Sequence, residues 1–84
     1  MRRYLVLTRR TPDFDPGALA PHYAFLDGLR RANRLELAGP FSDRAGGAYL
    51  LCAGNLAAAT AIAHSDPLHL THSSEVTVHE WDAK

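Results

Sequence analysis

The chain holds five histidines, and four of them lie in the stretch from Ala61 to Trp81. Imidazole is a common metal ligand, but these four fall on a helix end, a loop and a strand. They lack the i,i+4 pair on one helix and the accompanying cysteine pairs that are typical of zinc sites. We therefore expect no metal site, with a metal protein as the less favoured alternative, and surface or interface positions for His64, His69, His72 and His79.

Two other residues are candidates for acid–base chemistry. His22 lies at the edge of the apolar stripe of the first predicted helix, where a histidine is more often simply packed or exposed. Asp66 precedes Pro67 at the predicted end of the second helix, where the helix dipole disfavours a carboxylate. An aspartate before proline is also a common turn former. Taken singly, each residue leaves a structural and a functional role open.

The composition limits the partners of the chain. Its 84 residues, with 46% hydrophobic and 21% charged side chains, predict a single folded domain over residues 1–84. Nine basic residues balance nine acidic ones, so we expect small-molecule partners and neither nucleic acid nor a membrane surface. The single cysteine, Cys52, lies in an apolar run. Together with the absence of a signal-like or membrane-spanning run, it predicts a cytoplasmic protein.

Hydrophobic periodicity and turn residues divide the chain into six elements. A further helical turn is compatible with residues 68–74, after the interruption at Asp66-Pro67. The predicted elements are, in order, a strand at Arg2–Thr8, a helix at Leu19–Ala32, strands at Arg34–Gly39 and Ala48–Ala53, a helix at Leu56–Ser65 and a strand at Glu75–Trp81.

The order βαββαβ predicts an α+β, ferredoxin-like fold, in which a four-stranded antiparallel sheet carries both helices on one face. The first strand is apolar on both sides, as expected of a sheet that is covered on both faces. Nothing in the chain is left to cover the second face. We therefore expect a homodimer packed sheet to sheet, with Tyr4 and Trp81 at the interface or its rim.

Several short motifs occur together in this chain. They are "HYAFL" at 22–26, "LAGPFSD" at 37–43 followed by "GGAYL" at 46–50, an alanine-rich second helix, "DPL" at 66–68 and a last strand ending in Trp81. In this order they resemble the YciI-like (YCII-related) family over nearly the whole chain. The resemblance implies a ferredoxin-like subunit of a dimeric α/β barrel, with an active site on a His–Asp pair that falls here on His22 and Asp66.

That pairing agrees with the predicted topology, because both helices pack on the same face of the sheet. A carboxylate bonded to one ring nitrogen would orient the imidazole and leave the other nitrogen as a general base. The family's usual "DPF" is "DPL" in this chain, so we expect Leu68 to reshape the pocket wall.

The connection between the second and third strands is expected to form the rest of the pocket wall. Gly39 would permit close backbone approach, Pro40 would stiffen the turn, Phe41 offers an apolar surface and Ser42 a hydroxyl. An ordinary hairpin connection with common turn residues is the alternative interpretation.

The sequence thus leads to two hypotheses about function. The first, implied by the resemblance, is a small lyase or isomerase that needs no cofactor. In it, His22, oriented by Asp66, moves a proton on a small organic substrate. The second is a non-catalytic dimer that uses the same pocket to bind a small molecule, or that has a structural role.

Overall fold

The computed structural model describes all 84 residues. Its four strands, β1 (Arg2–Arg10), β2 (Leu35–Pro40), β3 (Gly46–Ala53) and β4 (Ser74–Glu80), form one sheet in the order β2-β3-β1-β4, and all neighbouring strands are antiparallel. This arrangement confirms the expected ferredoxin-like α+β fold. No helix has the length and apolar character needed to cross a membrane. The helical elements are a 3-10 turn (Pro16–Ala18) and α1 (Leu19–Arg31) between β1 and β2, and α2 (Leu56–Ala63) and α3 (Pro67–Leu70) between β3 and β4.

The core lies between one face of the sheet and the helices. Tyr4 and Val6 of β1 are fully buried, whereas the intervening Leu5 is only half-buried, as the two-residue period of a strand requires. Leu26 of α1 and Ala59 of α2 belong to the same buried cluster as these strand residues. Both longer helices therefore cover the same face of the sheet, as predicted.

The strands at the centre of the sheet are longer than predicted. β1 continues through Arg9 and Arg10, whose charges suggested a boundary, because their backbones pair with β4. β3 begins at Gly46, inside the predicted turn. A Cβ atom on Gly46 would overlap the backbone carbonyl oxygen of Thr8, and one on Gly47 would lie 2.6 Å from that of Gly39. Close backbone approach explains both glycines.

Helix α1 buries a different stripe from the one that the spacing of its apolar residues predicts, which is Leu19, Tyr23, Leu26 and Leu29. His22 and Leu26 are buried with Phe25 and Leu29 packed beside them, whereas Tyr23 is 49% exposed. The true stripe therefore has the i, i+3, i+4, i+7 spacing and contains the histidine in a core position. At the other end, Asn33 follows the helix with φ of 58°. This left-handed conformation is the one expected of a residue that terminates a helix.

The sequence suggested that Asp66 lies at the C-terminal end of α2, where the helix dipole disfavours a carboxylate. The structure places it elsewhere. Helix α2 ends at Ala63, and Asp66 instead caps the N-terminus of the short helix α3, which begins at Pro67 and overlaps the start of the region 68–74 where a further turn was expected. The Asp66 carboxylate accepts a hydrogen bond from the backbone N–H of Leu68, as the first residue before a helix commonly does. The carboxylate is therefore stabilised locally, before any contact with α1.

The outer face of the sheet carries exposed apolar side chains. Leu37 of β2 is 70% exposed, and Trp81, which directly follows β4, is 48% exposed. The expectation that Tyr4 lies at this face was wrong: its side chain points into the core, and its hydroxyl donates a hydrogen bond of 3.0 Å to Glu80 Oε1. The apolar residues with accessible surface at this face are thus Leu5, Leu37 and Trp81, and Leu50, which is only 6% exposed, lies among them.

Candidate active site

The structure brings His22 and Asp66 into direct hydrogen-bond contact. His22 Nδ1 lies 2.8 Å from Asp66 Oδ1 and 3.0 Å from Oδ2. Both side chains are buried, Asp66 completely. The first turns of α1 supply the histidine, and the start of α3, which packs against α1, supplies the carboxylate.

Two further groups, besides His22, donate hydrogen bonds to the Asp66 carboxylate. The Leu68 N–H donates to Oδ1 at 2.9 Å, and the Tyr49 hydroxyl donates to Oδ2 at 3.1 Å. An ionised carboxylate can only accept hydrogen bonds, so His22 binds it through a protonated Nδ1. The other ring nitrogen, Nε2, has no partner within the protein and is not among the fully buried unpaired atoms.

Tyr49 was missed by the sequence analysis. It lies in β3 at the position paired with Val6 of β1, so the strand alternation directs it into the core with Val6. That alternation was the available signal, since the motif "GGAYL" places a phenol at an inward position. Burial, and then the charge and hydrogen bond of Asp66, raise the pKa of Tyr49 well above its ordinary value. The phenol therefore keeps its proton and acts as a donor.

A cavity of about 220 Å³ opens beside His22. His22, Tyr49, Gly39, Pro40 and Leu68 are among the residues that line it, while Asp66 lies behind the histidine and does not. Pockets of this kind combine an apolar wall with a few polar groups that fix a ligand's orientation. The dyad therefore presents one nitrogen, and not its carboxylate, to a molecule in the cavity.

The predicted wall residues are not all brought together. Phe41 and Ser42 do not line the cavity, and both are exposed in the turn between β2 and β3. Gly39 lines it, but a Cβ atom added there would meet no atom within 4 Å, so close backbone approach is not the reason for this glycine. The connection contributes Gly39 and Pro40 from the end of β2, and Arg44 from the turn.

The four remaining histidines are separate from this cavity. The rings of His64 and His69 stack with centroids 4.1 Å apart, while His72 and His79 are exposed. Partial burial and the neighbouring His64 and His72 lower the pKa of His69. No group of three or more histidine, cysteine or acidic side chains has the arrangement of a metal site.

Comparisons with known proteins agree on the fold. A family model described as the YCII-related domain matches residues 2–82. The Bacillus subtilis protein "Uncharacterized protein YjpA" is 49% identical over 84 residues, which are 100% of this chain and 99% of that protein. The solved structure of 5-chloro-2-hydroxyhydroquinone dehydrochlorinase (TftG) from Burkholderia phenoliruptrix, in complex with 2,5-dihydroxybenzoquinone, matches with a TM-score of 0.76 and 16% identity. The match covers 98% of this chain and 95% of the dehydrochlorinase. At that identity the likeness concerns the fold alone.

Proposed function

This chain belongs to the YCII-related domain family, and we propose that it is a small enzyme, a lyase or isomerase that moves protons without a cofactor. The observation that supports this most directly is the buried contact of 2.8 Å between His22 Nδ1 and Asp66 Oδ1 beside an open cavity. The dehydrochlorinase with the same fold, solved in complex with a small quinone, offers a precedent for chemistry on a small organic ring.

The proposed chemistry begins with Nε2 of His22 as the general base. Asp66 accepts the Nδ1 proton, so the lone pair of Nε2 takes a proton from a C–H or O–H group of the substrate. The electron pair of the broken C–H or O–H bond stays on the substrate and is delocalised within it. The imidazolium, stabilised by Asp66, then returns the proton to another substrate atom in an isomerase, or to a leaving group in a lyase. Tyr49 and the Leu68 N–H hold the carboxylate in place throughout.

Hydrogen exchange in heavy water tests this proposal even where the product is unidentified. A panel of small lactones, hydroxyquinones and enolisable acids is incubated with the protein in D₂O, and loss of C–H signals is followed by NMR. We expect exchange into at least one compound, reduced about 10²–10⁴-fold in His22→Gln, which is the usual contribution of a general base. Full exchange activity in both His22→Ala and Asp66→Ala would contradict the proposal.

The same cavity supports a second function, binding without turnover. Its lining extends well beyond the dyad, to residues of α1, β2 and β3, and a ligand could be held there without chemistry. Saturable thermal stabilisation of RT ln(1 + [L]/Kd) by a panel compound that is never consumed or exchanged would favour this second function.

We extend the proposal to the assembly and the compartment of the enzyme. The apolar outer face of the sheet, where Leu37 and Trp81 are exposed and Leu5 is half-buried, supports a homodimer in which two sheets pack face to face as a two-chain barrel. The single Cys52, which has no second cysteine to bond with in the chain, supports a reducing cytoplasmic compartment. Light scattering and cell fractionation test these two statements.

A further inference from the structure

The cavity beside His22 has an excess of positive charge. Arg10, Arg30 and Arg44 line it together with one carboxylate, Asp27. Arg30 Nη1 is already paired with Asp27 Oδ1 at 2.9 Å. Neither Arg10 nor Arg44 has a carboxylate within salt-bridge distance. Two guanidinium groups therefore reach the cavity without a counter-ion from the protein.

The Arg10 guanidinium packs on an aromatic ring beside the cavity. Its guanidinium carbon lies 4.0 Å from the centroid of the Phe14 ring, and Phe14 also lines the cavity. Packing on the ring occupies one face of the guanidinium and limits its rotation. The N–H groups lie in the plane of the guanidinium, in a fork that matches the two oxygens of a carboxylate.

Ser74 supplies an unused hydrogen-bond donor at the same place. It lies directly opposite Arg10 in the register of β1 and β4, and side chains at such positions share one face of a sheet. Ser74 is 5% exposed and lines the cavity, and its Oγ is the one fully buried side-chain N or O atom without a hydrogen-bond partner. A buried hydroxyl without a partner is unfavourable, so this atom points to an acceptor supplied by a ligand.

Arg44 is connected to the same end of the cavity. The backbone N–H of Arg10 donates a hydrogen bond of 2.9 Å to the backbone carbonyl oxygen of Ala45, which holds the turn between β2 and β3 against the end of β1. The Arg44 side chain is exposed, so it reaches the rim of the cavity and not its interior.

From these contacts we propose that the cavity contains a carboxylate-binding subsite formed by Arg10 and Ser74, with Arg44 at its rim. The ligand is thus a small organic acid. Its carboxylate accepts hydrogen bonds from the Arg10 guanidinium and the Ser74 hydroxyl, and its apolar body packs against Leu19 and Leu26. That this acid is a substrate rests on the proposed function; that the subsite binds carboxylates does not.

Matched pairs of fragments test the subsite. Acetate and acetamide, benzoate and benzamide, and 2-furoate and 2-furamide differ mainly in charge, and their dissociation constants are measured by NMR titration at low ionic strength. We expect the acids to bind more tightly than the amides. Arg10→Ala and Ser74→Ala should each weaken acid binding roughly ten- to hundredfold, the usual contribution of a hydrogen bond to a charged group. Arg10→Lys, which keeps the charge but loses the fork, should fall between wild type and Arg10→Ala.

Arg9→Ala is the matched control for Arg10→Ala. Arg9 is exposed, points to the other face of the same strand and does not line the cavity, so its removal should leave acid binding unchanged. Ser74→Ala has a second measurable effect: the thermal midpoint of the ligand-free protein should stay the same or rise, because the variant removes a buried hydroxyl that has no partner.

Equal binding of acids and amides, no binding of any acid, or equal weakening by Arg9→Ala and Arg10→Ala would overturn the proposal. Repeating the titrations in His22→Gln separates this result from the proposed function. A subsite that still prefers acids in that variant stands even where no turnover is found, and a failed subsite leaves the hydrogen-exchange test of His22 unaffected.

Discussion

Tyr49 donates a hydrogen bond of 3.1 Å to Asp66 Oδ2, on the same carboxylate that binds His22 Nδ1. The tyrosine comes from the sheet, the histidine from α1 and the carboxylate from the start of α3. The three side chains therefore connect three separate elements through one buried acceptor. Tyr49 makes no hydrogen bond to His22. It therefore acts on the proposed base only by positioning Asp66.

Tyr49→Phe removes that donor and keeps the ring, which also packs edge-on to Phe25. A hydrogen bond to a charged group contributes about 1.5–3 kcal/mol, and we expect the free energy of unfolding in urea to fall by about this amount. Turnover should fall while the pH dependence keeps its shape, because His22 and Asp66 are both still present. Tyr23→Phe is the control: Tyr23 is 49% exposed, and its variant should stay within about 0.5 kcal/mol of wild type.

Alkaline pH should destabilise the fold through the same tyrosine. Burial, followed by the charge and hydrogen bond of Asp66, raises the pKa of Tyr49 above the ordinary value of about 10. The unfolded chain then loses this proton at a lower pH than the folded chain does. The stability due to the protonated phenol is complete below about pH 10 and is lost as the pH rises further.

We therefore expect the urea midpoint of wild type to fall between about pH 9 and about pH 11, and that of Tyr49→Phe to fall less. Burial also raises the pKa of Tyr4, so we expect part of the decline to persist in the variant. An identical decline in both proteins would show that Tyr49 ionises alike in the folded and unfolded chains.

Asp66→Asn should preserve the fold and remove the proposed base. The asparagine oxygen can still accept the Leu68 N–H, but the amide group that replaces the other oxygen donates to His22 Nδ1. The imidazole proton must then lie on Nε2, where it blocks proton abstraction. We expect turnover to fall about 10²–10⁴-fold, and ¹⁵N NMR of the His22 ring to show that the protonated nitrogen has changed.

Asp27→Asn controls for the loss of a carboxylate near the cavity. Asp27 lines the cavity but is exposed and paired with Arg30, so its variant should leave the protonation of the His22 ring unchanged. A ring in Asp66→Asn that still carries its proton on Nδ1, with turnover near that of wild type, would exclude the orienting role of Asp66.

The fold could be predicted from sequence because its signals are local. Strand alternation and helix periodicity indicated the six main elements and their order, and the ferredoxin-like sheet follows from that order. The errors lie where tertiary contacts override local chemistry. Arg10 is charged yet belongs to a strand, since its backbone pairs with β4, and Gly46 looks like a turn residue yet begins β3 against Thr8.

The candidate site was less predictable because it depends on register. His22 and Asp66 could be proposed as an acid–base pair from residue type and motif, and the topology allowed them to meet. Tyr49 reaches the same carboxylate and Arg10 lies opposite Ser74 because of pairings between strands that are distant in the sequence. The sequence alone does not specify these pairings. Phe41 and Ser42 were placed in the pocket by proximity to Gly39 and Pro40, but the turn directs them away.

Leu37→Arg tests the proposed dimer. Leu37 lies on the outer face of the sheet beside Leu50 and is 70% exposed, so an arginine there should leave the subunit folded by circular dichroism. In a sheet-to-sheet dimer the same arginine would be buried without a partner. An uncompensated buried charge costs about 3 kcal/mol or more. We therefore expect sedimentation to show that the dissociation constant of the dimer is raised at least about hundredfold.

Leu70→Arg is the matched control, because Leu70 is 63% exposed but lies on α3, on the helix side of the sheet. This variant changes charge and apolar area in the same way at a surface that the proposed dimer leaves free. The dissociation constant of its dimer should therefore equal that of wild type. If Leu70→Arg dissociates the protein as readily as Leu37→Arg, the interface does not lie on the sheet. If wild type itself sediments as a monomer at micromolar concentration, the proposed dimer is wrong.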